Sequence, residues 1–374
     1  MANISTLGQA LDQIARLRTQ QGTMDTLLMQ NTTGKKTQVF SGLGNDIIAS
    51  QRARTDTSAM QSYINNITNA DRRIKLMLGA VEDMKKQAEI ISGALVVDIQ
   101  KGDYPDFEVL QDLVKNTLGF VMDTMNHTDG NRYLFAGADS STRPITDTGL
   151  FESFLGEFVP DESDLTNPPL VASGVVGQWG DGTITTDQFI ATYKGVNETL
   201  MGYSPTLTNN TAGKVFVRVD EHTEFDYTVL ADTPGMKELI TVLNVLKALP
   251  PVEFAPGALN DPTATTLPAD QPPFPPTEKQ NNFFQVITDL STMINGVIDK
   301  LDSQSFKLSQ VHAQMTTIKQ SHQVDVNSLA NLIGEVEDVD TTEVAAKILQ
   351  MQIQLESSYR VTAMLSELSL ANYI

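Results

Sequence analysis

Fourteen of the sixteen prolines in this 374-residue chain fall between Pro160 and Pro276; none precedes Pro105 and none follows Pro276. Proline lacks a backbone donor and its ring clashes with the preceding turn, so helix interiors exclude it. The two flanks are therefore the parts free to run as very long helices, and the middle must be built differently. A composition shift marks the same place. Residues 146–280 hold nineteen Asp and Glu against six Lys and Arg, and so supply thirteen of the twenty net negative charges.

In the last flank, Val344, Ile348, Met351, Leu355, Tyr359, Thr362 and Leu365 recur at three- and four-residue steps. That spacing predicts a helix with one apolar stripe. Its other face carries Lys347, Gln350, Gln354, Ser357 and Arg360, and the chain finishes on Leu368, Leu370, Tyr373 and Ile374. A segment this apolar needs a cover. Leu7, Leu11, Ile14, Leu17, Met24 and Leu28 form a second stripe near the start, and the two stripes are expected to pack together. Two helices alone bury little, so ordering of the pair is expected to depend on assembly with neighbours.

Between them the pattern reads in order. Gly34 breaks the first helix, and Ser41-Gly42-Leu43-Gly44 is a flexible connector with a helix cap at Asn45 or Asp46. Met60, Ile64, Ile67, Ile74, Leu78, Val81, Ala88, Ile91 and Leu95 then predict a long rod-like helix. Gly102-Asp103-Tyr104-Pro105 turns the chain into a helix carrying Phe107, Leu110, Val114, Leu118, Val121 and Met125. Arg132–Gly137 is an aromatic extended exit. In the middle, Lys214–Val219 and Glu224–Val229 alternate around Asp220–Thr223 as a hairpin, and Thr183–Tyr193 reads as a further strand. A helix with Met236, Leu239, Ile240, Leu243, Leu246 and Leu249 follows Asp232-Thr233-Pro234-Gly235, and Pro262–Pro276 reads as a linker. A second rod runs from Phe284 through Ile287, Leu290, Ile294, Ile298, Leu301, Leu308, Val311, Met315 and Ile318 to Val324. Val336–Glu343 is a joint whose Thr and Glu suit a cap.

The expected fold is thus mainly α. A long antiparallel helical coiled-coil rod is built from both chain ends, with an inserted β-rich (α+β) outer domain. Residues 1–45 and 337–374 are the terminal helices of an inner core, 46–145 and 281–336 the rod, and 146–280 the insert.

Charge and composition narrow the function classes. A net charge of -20 argues against nucleic acid and anionic membrane as partners. With no cysteine, disulfides, thiolate metal sites and cysteine nucleophiles are ruled out. No basic head with an apolar run marks a cleaved signal peptide, and no segment has the ~20 apolar residues of a membrane span. Export, if it occurs, is expected by another route. His127, His222, His312 and His322 are scattered, and the last two are not at the i, i+4 spacing of a helical metal pair. Asp220, Glu221, Glu224 and Asp226 crowd the hairpin without the spacing of a calcium loop. Gly42-Leu43-Gly44 lacks the rest of a dinucleotide fingerprint, and no Gly-x-Ser-x-Gly elbow frames a serine. No catalytic, metal or cofactor site is expected.

Several stretches resemble one family. Glu337-Asp338-Val339-Asp340-Thr341-Thr342-Glu343-Val344, then Leu355-Glu356-Ser357-Ser358-Tyr359 and Leu368-Ser369-Leu370-Ala371-Asn372-Tyr373-Ile374, look like the closing helix of hook-associated protein 3. That family comprises the hook–filament junction proteins of the flagellin superfamily. Ile4-Ser5-Thr6-Leu7, Thr33-Gly34-Lys35, Asn131–Gly137 and Asp232–Met236 are similar to its other marks. Phe40–Gly44 departs from it, replacing a more acidic, proline-containing turn. The resemblance covers roughly the first 145 and last 90 residues.

It implies uncleaved export through the flagellar type III apparatus with a chaperone on the last helix. It further implies an extracellular, homo-oligomeric ring between a second junction protein and flagellin. Candidate interface residues are Leu7, Leu11, Ile14, Leu17, Val344, Ile348, Met351, Leu355, Leu365 and Leu368. Two alternatives stay open: flagellin itself, and a secreted adhesin whose insert binds glycans near Trp179 and Tyr193.

Overall fold

The computed structural model describes residues 2–101, 107–146, 149–156, 174–250 and 278–371. Side chains are described outside 2–7, 9–10, 96–101, 107–108 and 365–371. The expected turn at Gly102–Pro105, the linker at Pro262–Pro276 and the last three residues fall outside the described set. The architecture is mainly α-helical, with two small two-stranded sheets among the described residues. Contacts divide the chain into two units, 1–64 with 320–374, and 65–319.

The larger unit holds most of the apolar core. Helix α2 (Ile47–Lys101) contributes Ile67, Ile74, Val81, Ala88, Ile91 and Leu95, all buried, as its periodicity predicts. Helix α9 (Glu278–Glu337) contributes Ile287, Leu290, Ile294, Leu301, Leu308 and Met315. Within this unit α2 and α9 run antiparallel. Ser92 Oγ donates to Asn295 Oδ1 at 2.9 Å, Lys85 Nζ lies 2.7 Å from Asp302, and His312 Nε2 lies 2.7 Å from Asp71. Numbering falls on one helix as it rises on the other. Helix α3 (Phe107–Met125) lays Leu110, Val114, Leu118, Val121 and Met125 into the same core.

The exit from α3 is a two-rung ladder, β1 (Thr128–Asp129) with β2 (Arg132–Tyr133), turning at Gly130 with φ 67°. Leu134, Phe135 and Ala136 then plunge into the core. Arg73 on α2 holds them there, its Nη2 donating to the carbonyls of Tyr133 at 2.6 Å and Leu134 at 3.1 Å. Burial pushes the Arg73 guanidinium below its ordinary pKa. Gly137 has φ 70°, and a Cβ there would stand 2.6 Å from the Gly213 carbonyl oxygen, so only glycine fits.

The insert departs from the sequence expectation. Its described residues are carried by α4 (Gly149–Leu155), α5 (Val175–Gly180), α6 (Thr186–Lys194), α7 (Pro205–Thr208) and α8 (Pro234–Ala248). The strands are the short hairpin β3 (Phe216–Arg218) and β4 (Glu224–Asp226), paired antiparallel as expected. Helices rather than strands dominate these residues, so the β-rich description does not hold for them. The strand expected at Thr183–Tyr193 is α6. Thr185 and Gln188 form a reciprocal capping box at its start, a local signal that outweighs the β-branched residues nearby. Trp179 is fully buried, stacked on Phe189 at 5.0 Å, with its Nε1–H donating to Thr186 Oγ1 at 3.1 Å. Helix α8 begins where expected, with Pro234 in its first turn, and buries Met236, Leu239, Ile240, Leu243 and Leu246.

Candidate assembly site

The smaller unit pairs the first and last helices. Helix α1 (Ala2–Thr33) ends at Gly34, whose φ is 70°, and three residues separate the end of α9 from the start of helix α10 (Thr341–Ala371). They run antiparallel: Leu27 packs with Val344 and Ile348 at the base, flanked by Met24, Val339 and Met351. Further along, Ser358 Oγ donates to Gln20 Oε1 at 3.2 Å and Gln21 Nε2 donates to Tyr359 Oη at 2.8 Å. The pair is thus apolar near its base and polar beyond it.

A clasp secures that base. Residues 34–36 and 337–339 lie side by side in opposite directions: Lys36 N–H donates to Glu337 O at 2.7 Å, and Val339 N–H to Gly34 O at 2.9 Å. Glu337 is buried, yet its carboxylate accepts from Ser50 Oγ at 2.5 Å and from Arg54 Nε and Nη2 at 2.9 and 2.6 Å. Lys35 Nζ adds a contact at 3.4 Å and pairs with Asp338 at 2.5 Å. These hydrogen bonds, Arg54 and then Ser50 foremost, hold the Glu337 pKa down at about 2. Lys36 Nζ donates to the carbonyls of Glu335 and Val336 at 2.8 Å each, placing a cation on the last turn of α9. Helix α10 is capped by Asp340, which accepts from the Thr342 and Glu343 N–H groups at 2.8 and 3.3 Å. The cap is therefore this aspartate, not the Thr and Glu that follow it.

The residues expected at the interface separate into three groups. Val344 and Ile348 are buried against α1, with Met351 and Leu355 half-buried. Leu11 and Ile14 are exposed and Leu17 is half-buried. The side chains of Leu7, Leu365 and Leu368 lie outside the described set. Two features escaped the sequence reading. One is the clasp, whose partners are 283 or more residues apart. The other is a second apolar stripe on the outward face of α10, where Leu349, Ile353 and Met364 are 63%, 66% and 59% exposed. Its signal was the i, i+4 step from Leu349 to Ile353, masked by the polar residues interleaved on that face.

Fourteen of the twenty-one exposed large apolar side chains of the described residues fall in this smaller unit. Leu27, Val344 and Ile348 are the buried members of its own core cluster. Such an arrangement is complete at the clasp and unfinished on its flanks. What it can do chemically is bury further apolar surface against another chain.

No protein-family model and no curated protein matches the chain. Among solved structures, one named provisionally as a flagellar hook-associated protein from Vibrio parahaemolyticus is similar. It has a TM-score of 0.42 and 10% identity, covering 78% of this chain and 97% of that one. A similarity at that level assigns neither a family nor a function.

Proposed function

We propose that this protein is a non-enzymatic structural subunit of the bacterial flagellum, forming an adaptor ring at the hook–filament junction. The carrying observation is the terminal helix pair: a clasped base, a small core of its own, and an excess of exposed apolar side chains on both helices. The sequence marks from Glu337 to Val344, and from Asn131 to Gly137, support the flagellar reading by resemblance. Both marks fall on structured features, the clasp with its α10 cap and the buried exit strand.

Charge partition supports self-association through the pair. Residues 1–64 and 320–374 hold eight Lys and Arg against twelve Asp and Glu, and residues 65–319 hold eighteen against thirty-four. The net charges are -4 and -16, so copies brought together at the pair repel least there. On this reading the pair forms the inner tube of the ring. The insert, whose described residues share the core of the larger unit, faces solvent. Neighbours along the flagellum are a second junction protein on the hook side and flagellin on the filament side. Before assembly, a chaperone covers the α10 stripe during uncleaved export.

The test is to delete the gene in the source bacterium and supply it in trans. Loss of filaments from intact hooks, with flagellin released to the medium, is the expected result; normal filaments in the deletion strain would refute the reading. Copy number separates the remaining alternative. An adaptor is present at a few copies per flagellum, whereas a filament subunit is its bulk component. The glycan-binding alternative loses its stated basis, because Trp179 and Tyr193 are buried.

A further inference from the structure

The outward face of α10 carries more than apolar residues. Leu349, Ile353, Glu356, Arg360 and Met364 follow one another at three- and four-residue steps, all exposed, and therefore share a stripe. Beside that stripe, between the two helices, a groove of about 550 Å³ is lined by Asp12, Arg16 and Gln20 of α1 and by Ser357 and Val361 of α10. Asp12 and Arg16 are four apart on one helix, as are Glu356 and Arg360. Such pairs ordinarily bond to each other. Among the described residues none of the four makes an ion pair, although Glu343 and Lys347 on α10 do, at 2.7 Å.

From this charge complementarity we infer that the groove of one copy receives the outward stripe of α10 from a second copy, with Glu356 set on Arg16 and Arg360 on Asp12. The inference rests on the assembly reading above and specifies its contact. The order of the charges fixes the direction. For both pairs to form, the incoming α10 runs antiparallel to α1, hence parallel to the α10 already there. Within one chain Gln20 meets Ser358, so the incoming helix is displaced along the axis by about six residues, roughly 9 Å. Each copy then offers a stripe to one neighbour and a groove to the other. That contact is heterologous and same-handed, and it generates rings or helical arrays rather than two-fold dimers.

The test uses the full-length chain, polymerised from monomer and followed by sedimentation and electron microscopy, with circular dichroism confirming that every variant remains helical. Reversing one side only, Asp12→Lys with Arg16→Glu, is expected to raise the critical concentration about tenfold or more. Adding Glu356→Lys and Arg360→Glu restores the match and returns it toward the wild-type value. Because the chain has no cysteine, Arg16→Cys with Glu356→Cys gives a second readout, an oxidation ladder of covalently linked copies. Wild-type polymerisation with an indifferent half-reversed variant, a fourfold variant that is not rescued, or no ladder overturns the docking. A wild-type chain that never polymerises overturns the assembly reading itself.

Discussion

Arg54 and Glu337 lie 283 residues apart and meet through two hydrogen bonds, Nε to Oε1 at 2.9 Å and Nη2 to Oε2 at 2.6 Å. The pairing is bidentate, and Ser50 and Lys35 complete the shell around a carboxylate that has left water. A buried carboxylate is stabilising only while these partners remain, so breaking the set is more costly than never having had it.

Acid should loosen the clasp. The folded pKa of Glu337 is depressed to about 2 from an ordinary 4.5. Its stabilising contribution is therefore fully present above about pH 4.5 and is lost as pH falls toward 2. Hydrogen exchange at residues 34–36 and 337–343 is expected to accelerate over that window. Glu337→Gln should exchange faster at neutral pH, by an amount equivalent to about 2–3 kcal/mol, and should lack the acid dependence. Equal pH profiles for the two proteins would remove the carboxylate from the account.

Two neighbouring residues on α10 should behave in opposite ways. Ile348 faces α1 and is buried, so Ile348→Ala is expected to cost the pair about 2–3 kcal/mol. Leu349 is exposed, so Leu349→Asp should change monomer stability by less than about 0.5 kcal/mol while blocking polymerisation. Thermal melts alongside sedimentation separate the two effects. A destabilised Leu349→Asp monomer would place that residue in the chain's own core.

Removal of residues 341–374 should abolish incorporation into the flagellum and leave residues 65–319 folded. The larger unit has its own core, from Ile67 to Met315. Near-ultraviolet dichroism of Trp179, buried on Phe189, reports whether that core survives. Loss of the Trp179 signal on truncation would contradict the independence of the unit.

Gly137→Ala should destabilise the larger unit by about 2 kcal/mol or more, since a positive φ and a carbonyl 2.6 Å from the new Cβ act together. Gly79→Ala is the control: it lies within α2 with open space around its Cβ position, and is expected to be neutral or slightly stabilising. Similar melting temperatures for the two variants would mean that the exit strand yields.

The helical flanks were legible because their signal is periodic and repeated. Ile67 to Leu95 and Ile287 to Met315 each present a long run of votes for one face, and a single aberrant position such as Val324, which is exposed, cannot change the outcome. The insert was legible only where a residue type dictates geometry, as Pro234 does at the start of α8 or the Asp220–Thr223 turn does between β3 and β4. At Thr183–Tyr193 the β-branched residues suggested a strand, while the capping pair Thr185 and Gln188 decided for a helix. The candidate site was half visible. Its inward stripe followed from spacing, but Glu337 reads in sequence as one acid among several, and no local pattern announces Ser50 or Arg54 as its partners.

The gradation along the terminal pair sets the order in which it solidifies. Its buried apolar contacts sit beside the clasp at Leu27, Val344 and Ile348, and among the described residues two neutral side-chain bonds, from Ser358 and Gln21, link the helices beyond. Closure therefore starts at the clasp, where the buried contacts are, and travels outward. In the assembly proposed above, a subunit would therefore bring a closed clasp to its neighbours before the helix faces beyond Gln20 and Ser358 are covered.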